Sequence, residues 1–308
     1  MKRLCVIGSI NMDLVARVDR FPKPGETIIG ESFGSYPGGK GANQAVAAAR
    51  LGADVLMVGR VGDDLHGSRY LDLFEREGVR TAGVAVVRGA TTGVAVIEVE
   101  RSSENHIVII PGANASLTPD AIESLWPLMS AFDIFLLQLE IPFRSVEAAC
   151  ALLRANGKTL ILDPAPAAPL TPAILRAVDF LTPNEHELAA LAGSHATGGE
   201  AIGNGIRTLR ERGASAIVVK AGRAGAYLGD SSGIVHLPGY EVPVVDTTAA
   251  GDSFNAGFAY ALAEGRGVHE AIGFANAVGA LSTTGMGAQA AMPTREAVQS
   301  FVRTRAPA

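Results

Sequence analysis

Residues 244–258 (VVDTTAAGDSFNAGF) hold the groups of the chain that are best suited to chemistry. An apolar stretch, predicted to be a strand, leads into a turn of small residues that opens a helix. The first N–H groups of a helix have no partner within it and, with the helix dipole behind them, bind phosphate. Asp252 lies in that first turn, where its charge would repel a phosphate that was only bound. Its presence is explained if it accepts the proton of a hydroxyl group that attacks phosphorus.

A purely structural role for this segment stays open from these residues alone. Aspartate is common in the first turn of helices because it stabilises the helix dipole. Small residues are also common where a helix packs tightly on a strand. The rest of the chain has to decide between the two interpretations.

Composition restricts the class of protein. The chain has 308 residues, of which 48% are hydrophobic, enough for a large core without disulfides. The formal net charge of −5 argues against nucleic-acid or membrane partners, so any phosphate site must be local. Cys5 and Cys150 are predicted to be buried free thiols of an intracellular enzyme. We find neither a signal-peptide pattern nor a membrane span, which predicts a cytoplasmic protein.

Predicted strands alternate with predicted helices along most of the chain. The strands cover residues 4–10, 55–59, 134–139, 159–162, 180–181 and 216–219, and the main helices cover 41–51, 67–77, 145–155, 185–191 and 201–212. This alternation predicts a mostly parallel central sheet flanked by helices, a three-layer α/β sandwich. Ligands of such sheets bind beyond the carboxyl ends of the strands. Polar residues follow six predicted strands, at Asn11 and Asp13, Gln138 and Glu140, Asp163, 182–187, Lys220, and 246–252.

Two regions depart from this alternation and predict a small separate sheet. Residues 92–100 and 106–110 are typical of two strands joined by a turn at 101–105. Residues 27–33 predict a further short strand. We therefore predict a single domain over residues 1–308, with a β-sheet lid formed by about residues 12–37 and 91–112 inserted into the α/β core.

Other patterns leave alternatives open. Residues 38–44 (GGKGANQ) lack the Ser or Thr that a P-loop needs after its lysine, so they indicate either backbone close to a small polar ligand or a hinge. Asn43 could bond hydroxyl groups there. Residues 285–290 match a loose dinucleotide pattern but follow a helix, which disfavours dinucleotide binding. Glu187 could hold Mg²⁺ through a water molecule or simply stabilise its helix.

Four segments together resemble the ribokinase-like, phosphofructokinase-B type of carbohydrate kinases: residues 9–13 (SINMD), 38–45 (GGKGANQA), 182–185 (TPNE) and 246–255 (DTTAAGDSFN). The similarity covers essentially the whole chain. It implies transfer of the γ-phosphate of ATP to the 5-hydroxyl of D-ribose, in a homodimer formed through the lid. A kinase of the same fold acting on deoxyribose, fructose or a nucleoside is the first alternative. A catalytically dead sugar-binding regulator is a distant one.

The resemblance also implies roles for individual residues. The sugar would be held by Asn11, Asp13, Gly38, Gly39, Lys40, Asn43, Glu140 and Asp252. The nucleotide would be bound by Asn184, Lys220, Gly222, Gly225, Gly251 and Asn276, with Glu187 holding Mg²⁺ through water. The anion hole would be formed by Ala249, Ala250, Gly251 and Asp252. Asp252 would be the catalytic base. Its position at a helix N-terminus is expected to lower its pKa and make it a weak base, which suffices because phosphoryl transfer places little demand on the base.

A monovalent-cation site for K⁺ is implied as well, with ligands from Asp246, Thr248, Ser282, Gly285 and Gly287. The chain departs from the family pattern at two nearby positions. Ala291 lacks the hydroxyl of the usual serine, and Gly285 stands where a long basic side chain is usual. The loss of one oxygen ligand is expected to weaken cation binding without abolishing it.

Overall fold

The computed structural model describes residues 1–101, 104–194 and 198–305, and its strands form one large and one small sheet. In chain order the strands are β1 (Leu4–Ile7), β2 (Asn11–Val18), β3 (Ser32–Gly38), β4 (Val55–Gly62), β5 (Arg80–Val87), β6 (Gly93–Glu100), β7 (Asn105–Ile110), β8 (Ile134–Leu137), β9 (Thr159–Leu162), β10 (Phe180–Leu181), β11 (Ala216–Lys220), β12 (Gly225–Asp230) and β13 (Gly233–Pro238). The large sheet has the order β13-β12-β11-β10-β9-β8-β1-β4-β5. Its pairings are parallel from β11 to β5, and β12 and β13 extend it as an antiparallel hairpin. The predicted mostly parallel sheet is confirmed.

Helices cover both faces of this sheet. In chain order they are α1 (Lys40–Arg50), α2 (Leu65–Arg76), α3 (Pro119–Ser124), α4 (Trp126–Met129), α5 (Phe143–Ala155), α6 (Pro172–Ala177), α7 (Glu185–Ala192), α8 (Gly199–Glu211), α9 (Ala250–Ala263), α10 (Val268–Ser282) and α11 (Arg295–Thr304). Strand side chains alternate between two cores, because successive residues of a strand point to opposite faces. Leu4 and Val6 pack with α1, α2, α9, α10 and α11, whereas Cys5 and Ile7 pack with α3 to α8. The three layers follow from this alternation.

Two other predictions about the fold can be compared with the structure directly. Cys5 and Cys150 are buried free thiols, as predicted. Within the described part of the chain, no helix is long and apolar enough to cross a membrane. The cytoplasmic location stays a prediction.

The small sheet, with the order β3-β2-β6-β7, is formed by the segments predicted to be the lid, and it is called the lid below. β2 leaves the core only three residues after β1 ends, so the predicted strand over residues 4–10 is wrong in its second half. Asn114 holds this transition: its side-chain oxygen accepts from the Ile10 N–H at 3.0 Å, and its Nδ2 donates to the Ile10 carbonyl at 3.1 Å and to the Asn11 side chain at 2.8 Å. Asn11 and Asp13 are therefore lid residues, not loop residues after a core strand.

The early lid strand is also displaced from its predicted position. Residues 27–30 form no strand, Ile29 is 95% exposed, and the pairing partner of β2 is β3 instead. The predicted strands at 92–100 and 106–110 are confirmed as the antiparallel pair β6 and β7. Part of their predicted turn, Ser102 and Ser103, lies outside the described residues.

Three elements differ from the sequence prediction for physical reasons. β5 was not predicted, because it is an edge strand whose residues are mostly exposed or half-buried. The hairpin of β12 and β13 was not predicted either, and β13 is exposed along most of its length. The predicted strand before Asp246 is wrong. Val244 and Val245 lie in an irregular segment, 62% and 54% exposed, and Val244 lines a cavity described below.

Candidate active site

The N-terminus of α9 lies where the carboxyl ends of the parallel strands meet. Ala249 precedes the helix with φ 59° and is the one non-glycine residue with positive φ in the described parts of the chain. This left-handed conformation is unfavourable for residues with a Cβ atom, and such outliers cluster at functional sites. The Ala250 N–H donates to the Thr247 carbonyl and the Ser253 N–H to the Ala249 carbonyl. Among the described residues, the N–H groups of Gly251 and Asp252 have no partner, which leaves them free to bind an anion.

The Asp252 side chain is 5% exposed and is fixed by two amides of α1. Asn43 Nδ2 donates to Asp252 Oδ2 at 3.0 Å, and Gln44 Nε2 donates to Asp252 Oδ1 at 3.0 Å. Asn43 was predicted to bond a ligand, and the structure shows it bonded to the carboxylate. Gln44 is a site residue that sequence reasoning missed, although it belongs to the same glycine-rich segment.

The charge environment of Asp252 corrects one expectation. Burial raises the pKa of Asp252, and Asp163 adds to this effect while Lys40 and the two amides oppose it. The lowering expected from the helix N-terminus is therefore outweighed by desolvation of the carboxylate. Asp252 is a stronger base than its position in the first turn suggests.

The predicted sugar-binding residues gather on the lid side of Asp252. Glu140 accepts bonds from Ser9 Oγ at 2.6 Å, from the Lys40 N–H at 3.2 Å and from Asn11 Nδ2 at 3.4 Å. Burial raises the pKa of Glu140, against the opposing charge of Lys40. Burial, followed by the charges of Glu140 and Asp252, raises the pKa of Asp13 to about 7.

Lys40 supplies positive charge to this acidic cluster. Burial alone would lower the pKa of Lys40, but the surrounding carboxylates raise it overall, so the side chain stays charged. These carboxylates belong to Asp252, Asp163, Glu140 and Glu187.

The glycines before Lys40 bring the lid and α1 close together. A Cβ atom on Gly38 would lie 2.2 Å from the Asp13 carboxylate. Gly39 has φ 85°, and a Cβ there would lie 2.6 Å from the Asn11 nitrogen. Because β3 ends at Gly38 and α1 begins at Lys40, this segment connects the lid to the core, as the hinge interpretation predicted.

A cavity of ≈ 240 Å³ opens beside the tip of α9, on the side away from the lid residues. It contains five of the six residues predicted to bind nucleotide, namely Lys220, Gly222, Gly225, Gly251 and Asn276. Its apolar walls include Tyr240, Val242, Phe254 and Ala280. Gly225 has φ 95°, and a Cβ there would lie 2.3 Å from the Gly239 nitrogen, so the wall needs a glycine at this position.

Asn184 and Glu187, the remaining residues predicted on this side, form the capping box of α7. Asn184 accepts from the Glu187 N–H at 2.8 Å, and Glu187 accepts from the Asn184 N–H at 2.7 Å and from its Nδ2 at 2.9 Å. Asn184 does not line the cavity. Burial raises the pKa of Glu187, with Lys220 opposing and Asp163 adding to the shift. Each Glu187 oxygen accepts one bond, so both retain lone pairs for a metal-bound water.

The segments predicted to hold a monovalent cation are joined to each other. Asp246 accepts from Thr248 through N–H and Oγ1 at 2.9 and 2.7 Å, and from the Gly287 N–H at 2.8 Å. Although partial burial opposes it, these bonds lower the pKa of Asp246, which keeps the carboxylate charged. A Cβ on Gly285 would lie 3.1 Å from the Ala291 Cβ, so the two positions that depart from the family pattern are neighbours. Ser282 Oγ donates to the Gly279 carbonyl at 2.8 Å.

Two unpartnered amides and a buried carboxylate at one helix tip are the groups that a phosphotransferase with an alcohol acceptor requires. The family comparison specifies the class further. Residues 1–295 match the model of the pfkB family carbohydrate kinases. The chain belongs to this family.

Individual relatives are similar along nearly their whole length. A ribokinase of Bacillus subtilis (strain 168) is 42% identical over 302 residues, covering 98% of this chain and 100% of the relative. A deoxyribokinase of Salmonella typhi is 36% identical over 300 residues, covering 97% and 98%. The structure of Arabidopsis thaliana ribokinase complexed with ribose and ATP is 34% identical, with a TM-score of 0.89, and the match covers 97% of this chain and 98% of that one.

The raised pKa of Asp13 generates a pH prediction. Below pH 7 the carboxyl group is protonated, and one of its two oxygens becomes a donor. We expect the KM for the sugar to be constant above about pH 8 and to rise about tenfold for each pH unit below 7. Steady-state kinetics at pH 6, 7 and 8 measure this, with Asp13→Asn as the variant that loses the dependence. A wild-type KM that stays flat from pH 8 to pH 6 contradicts the assignment.

Proposed function

We propose that this chain is an ATP-dependent kinase that phosphorylates the 5-hydroxyl of D-ribose, yielding ribose 5-phosphate and ADP. One observation carries the proposal: the Asp252 carboxylate and the unpartnered amides of Gly251 and Asp252 lie at the same helix tip. The residues proposed to bind the acceptor lie on the lid side of this tip, and the cavity proposed for the nucleotide lies on the other side. The ribokinases among the relatives support the choice of ribose.

In the proposed reaction, the sugar hydroxyl attacks the γ-phosphorus of ATP while Asp252 accepts its proton. The bond between that phosphorus and the bridging oxygen breaks, and ADP leaves with the electron pair. Asn43 and Gln44 hold the Asp252 carboxylate in position before the sugar arrives. The amides of Gly251 and Asp252 stabilise the charge that develops on the transferred phosphoryl oxygens.

The acceptor would be oriented by carboxylates and amides of the lid and core. Asn11 donates to Glu140 at 3.4 Å, and Asp13 lies near enough to Glu140 for that charge to raise the pKa of Asp13. Lys40 balances their charge. Because Asn11 and Asp13 belong to β2, binding of the sugar would draw the lid onto the core. We infer that this lid comprises about residues 12–37 and 91–112 of the single domain.

Mg²⁺ is proposed as the second component of the nucleotide site, where bound Mg²⁺ would neutralise phosphate charge. Glu187 would hold it through water, since both carboxylate oxygens retain lone pairs after capping α7. Among the described residues, no group of three or more His, Cys, Asp or Glu side chains could hold a metal directly.

Deoxyribose is the alternative acceptor, favoured by the similarity to a deoxyribokinase. A nucleoside is less well supported, because a base needs an aromatic side chain to stack on. Tyr36 pairs with Asp13 and shares its face of the lid, whereas Phe33 pairs with Ala16 on the opposite face, so of these two side chains only Tyr36 lies on the face of Asp13.

ADP release measured with ribose, deoxyribose, fructose and adenosine separates these acceptors. Absence of ADP release with all four would favour a sugar-binding regulator.

Replacement of the base tests the central assignment. We expect Asp252→Asn to lower kcat by about 10²- to 10⁴-fold, as is typical of the loss of a general base. Nucleotide affinity should change little, because the backbone amides remain. The matched control is Asp230→Asn, which changes an aspartate in an exposed turn and should leave kcat unaltered. Turnover of Asp252→Asn within a few-fold of the wild type would refute the assignment.

K⁺ is proposed as an activating ion at the loops that carry Asp246 and Gly287. The Asp246 carboxylate joins these loops, and backbone carbonyls of Thr248, Ser282, Gly285 and Gly287 would provide the remaining ligands, a ligand type that K⁺ accepts readily. The loop containing Gly285 passes Ala291, whose methyl group offers no oxygen. The site is therefore proposed to be weaker than one with a serine there.

This proposal predicts activation by K⁺ with a high half-saturating concentration. Ala291→Ser should lower that concentration several-fold, because it restores one oxygen ligand. The measurement is the initial rate at increasing KCl, with choline chloride holding ionic strength constant. Equal rates with and without K⁺ would exclude a functional monovalent-cation site.

A homodimer through the lid is proposed from exposed apolar side chains. Ile107, Val108, Ile109 and Ile110 of β7 are 40 to 61% exposed, and successive residues point to opposite faces of the lid. Val108 pairs with Val96, which is 40% exposed, and exposed apolar surface of this kind is typical of an interface.

The dimer can be tested without disturbing the core. We expect Val108→Asp to shift the mass measured by light scattering from dimer to monomer, because it places a charge in the proposed interface. Val302→Asp on α11 is the control, since Val302 is also exposed but lies away from the lid. A wild-type protein that is monomeric at micromolar concentration contradicts the proposal.

A further inference from the structure

Asp163 is a buried carboxylate that the reaction described above does not use. It follows β9 and is 1% exposed. Its Oδ1 accepts from Lys220 Nζ at 2.8 Å, and its Oδ2 accepts from Gln44 Nε2 at 3.1 Å. A buried carboxylate is costly unless it is paired and hydrogen-bonded. Both side-chain partners of Asp163 belong to the site. The free-energy cost of burying this carboxylate is therefore offset by contacts within the site, not by contacts that hold the sheet together.

Gln44 connects Asp163 to the proposed base. Its Nε2 donates to Asp163 Oδ2 and also to Asp252 Oδ1, so one amide group holds two carboxylates. The orientation of that amide is fixed from its other end, because Gln138 Nε2 donates to Gln44 Oε1 at 2.6 Å. With its oxygen occupied by a donor, Gln44 must present its NH₂ group to the carboxylates.

Lys220 connects Asp163 to the nucleotide side. The ion pair between them is almost fully buried, with side chains 11% and 2% exposed. Lys220 lines the nucleotide cavity, and its Nζ lies 3.4 Å from where a Cβ on Gly251 would stand. Asp163 therefore holds an ammonium group beside an amide of the proposed anion hole. Two of the three N–H donors of that ammonium group remain for phosphate oxygens.

We propose that Asp163 is a positioning residue that fixes the proton acceptor and the cation beside the phosphoryl group relative to each other. Through Gln44 it fixes the carboxylate that receives the proton, and through Lys220 it fixes a cation beside the transferred phosphoryl group. The inference rests on the proposed function, because it assigns a role within that reaction. Displacements of about 1 Å at reacting groups are enough to lower rates substantially.

Carboxylates outnumber ammonium groups around this link. Carboxylates of Asp163, Asp252, Glu140, Glu187 and Asp13 face the ammonium groups of Lys40 and Lys220. Removal of the Asp163 charge leaves Lys220 unpaired and frees one donor of Gln44. The buried ion pair thus explains why a second aspartate lies so close to the base, where repulsion alone would disfavour it.

The test is a double-mutant cycle on kcat and KM. We expect Asp163→Asn to lower kcat by about 10- to 100-fold, the effect of one charge-assisted hydrogen bond lost in the transition state, with the KM for ribose within about twofold of the wild type. Lys220→Met should also lower kcat. The loss of kcat in the double variant should be smaller than the product of the two single losses, because both changes remove the Asp163–Lys220 pair and only Asp163→Asn also alters the bond from Gln44. Asp54→Asn, which breaks the exposed Arg80–Asp54 pair at the opposite end of the strands, is the matched control and should turn over normally.

Folding and function are separated within the same set. Thermal unfolding of every variant shows whether it folds, and the double variant removes both charges and so avoids an unpaired buried lysine if Asp163→Asn alone is unfolded. The inference is overturned if folded Asp163→Asn matches the wild-type kcat, or if the two losses multiply in the double variant. A wild-type protein that releases no ADP with any sugar is a different result, since it refutes the proposed function itself.

Discussion

The burial of one carboxylate at the start of a helix is the constraint on which the rest of this structure depends. Asp252 is almost fully removed from water, and it keeps its place because α1 supplies Asn43 and Gln44 as donors. This requires α1 and α9 to pack against each other, and fully buried alanines on both helices allow their backbones to approach. The small residues that indicate a phosphate cradle in the sequence thus also serve helix packing, so the packing interpretation of that segment is confirmed and is compatible with the catalytic one.

The second constraint is the early departure of the chain from the core. β1 and β2 are separated by three residues, and the Asn114 side chain bonds both the N–H and the carbonyl of Ile10 between them. As a result, β2 carries Asp13 near enough to Asp252 for that charge to raise the pKa of Asp13. The segment proposed as the lid is therefore also part of the proposed sugar site, and the glycines at 38 and 39 let the return strand enter α1 without colliding with it.

The sequence was sufficient to locate the elements that show hydrophobic periodicity and the polar residues that follow strands. The buried parallel strands and the polar residues after them were predicted because apolar runs and turn signals repeat regularly. Edge strands such as β5 and β13 were not, since half-exposed residues carry no clear pattern. Val244 lines the cavity beside α9, and in the sequence its apolar side chain next to Val245 mimics a strand signal. The bonds among Gln44, Asp163 and Lys220 join residues 57 to 119 positions apart and have no signature in the order of residues. The rise in the pKa of Asp252 also could not be predicted, because it depends on the burial of the carboxylate, which the sequence does not reveal.

The edge strand β7 has a consequence for how the protein is made in a cell. Its sequence from 107 to 110 is Ile-Val-Ile-Ile, uncharged and rich in branched side chains, and among the described residues one of its edges has no neighbouring strand. Such segments are templates for aggregation when they are displayed by a newly synthesised chain. Yield should therefore fall as the expression rate rises, and slower synthesis at low temperature, or a chaperone that shields β7, should recover soluble material.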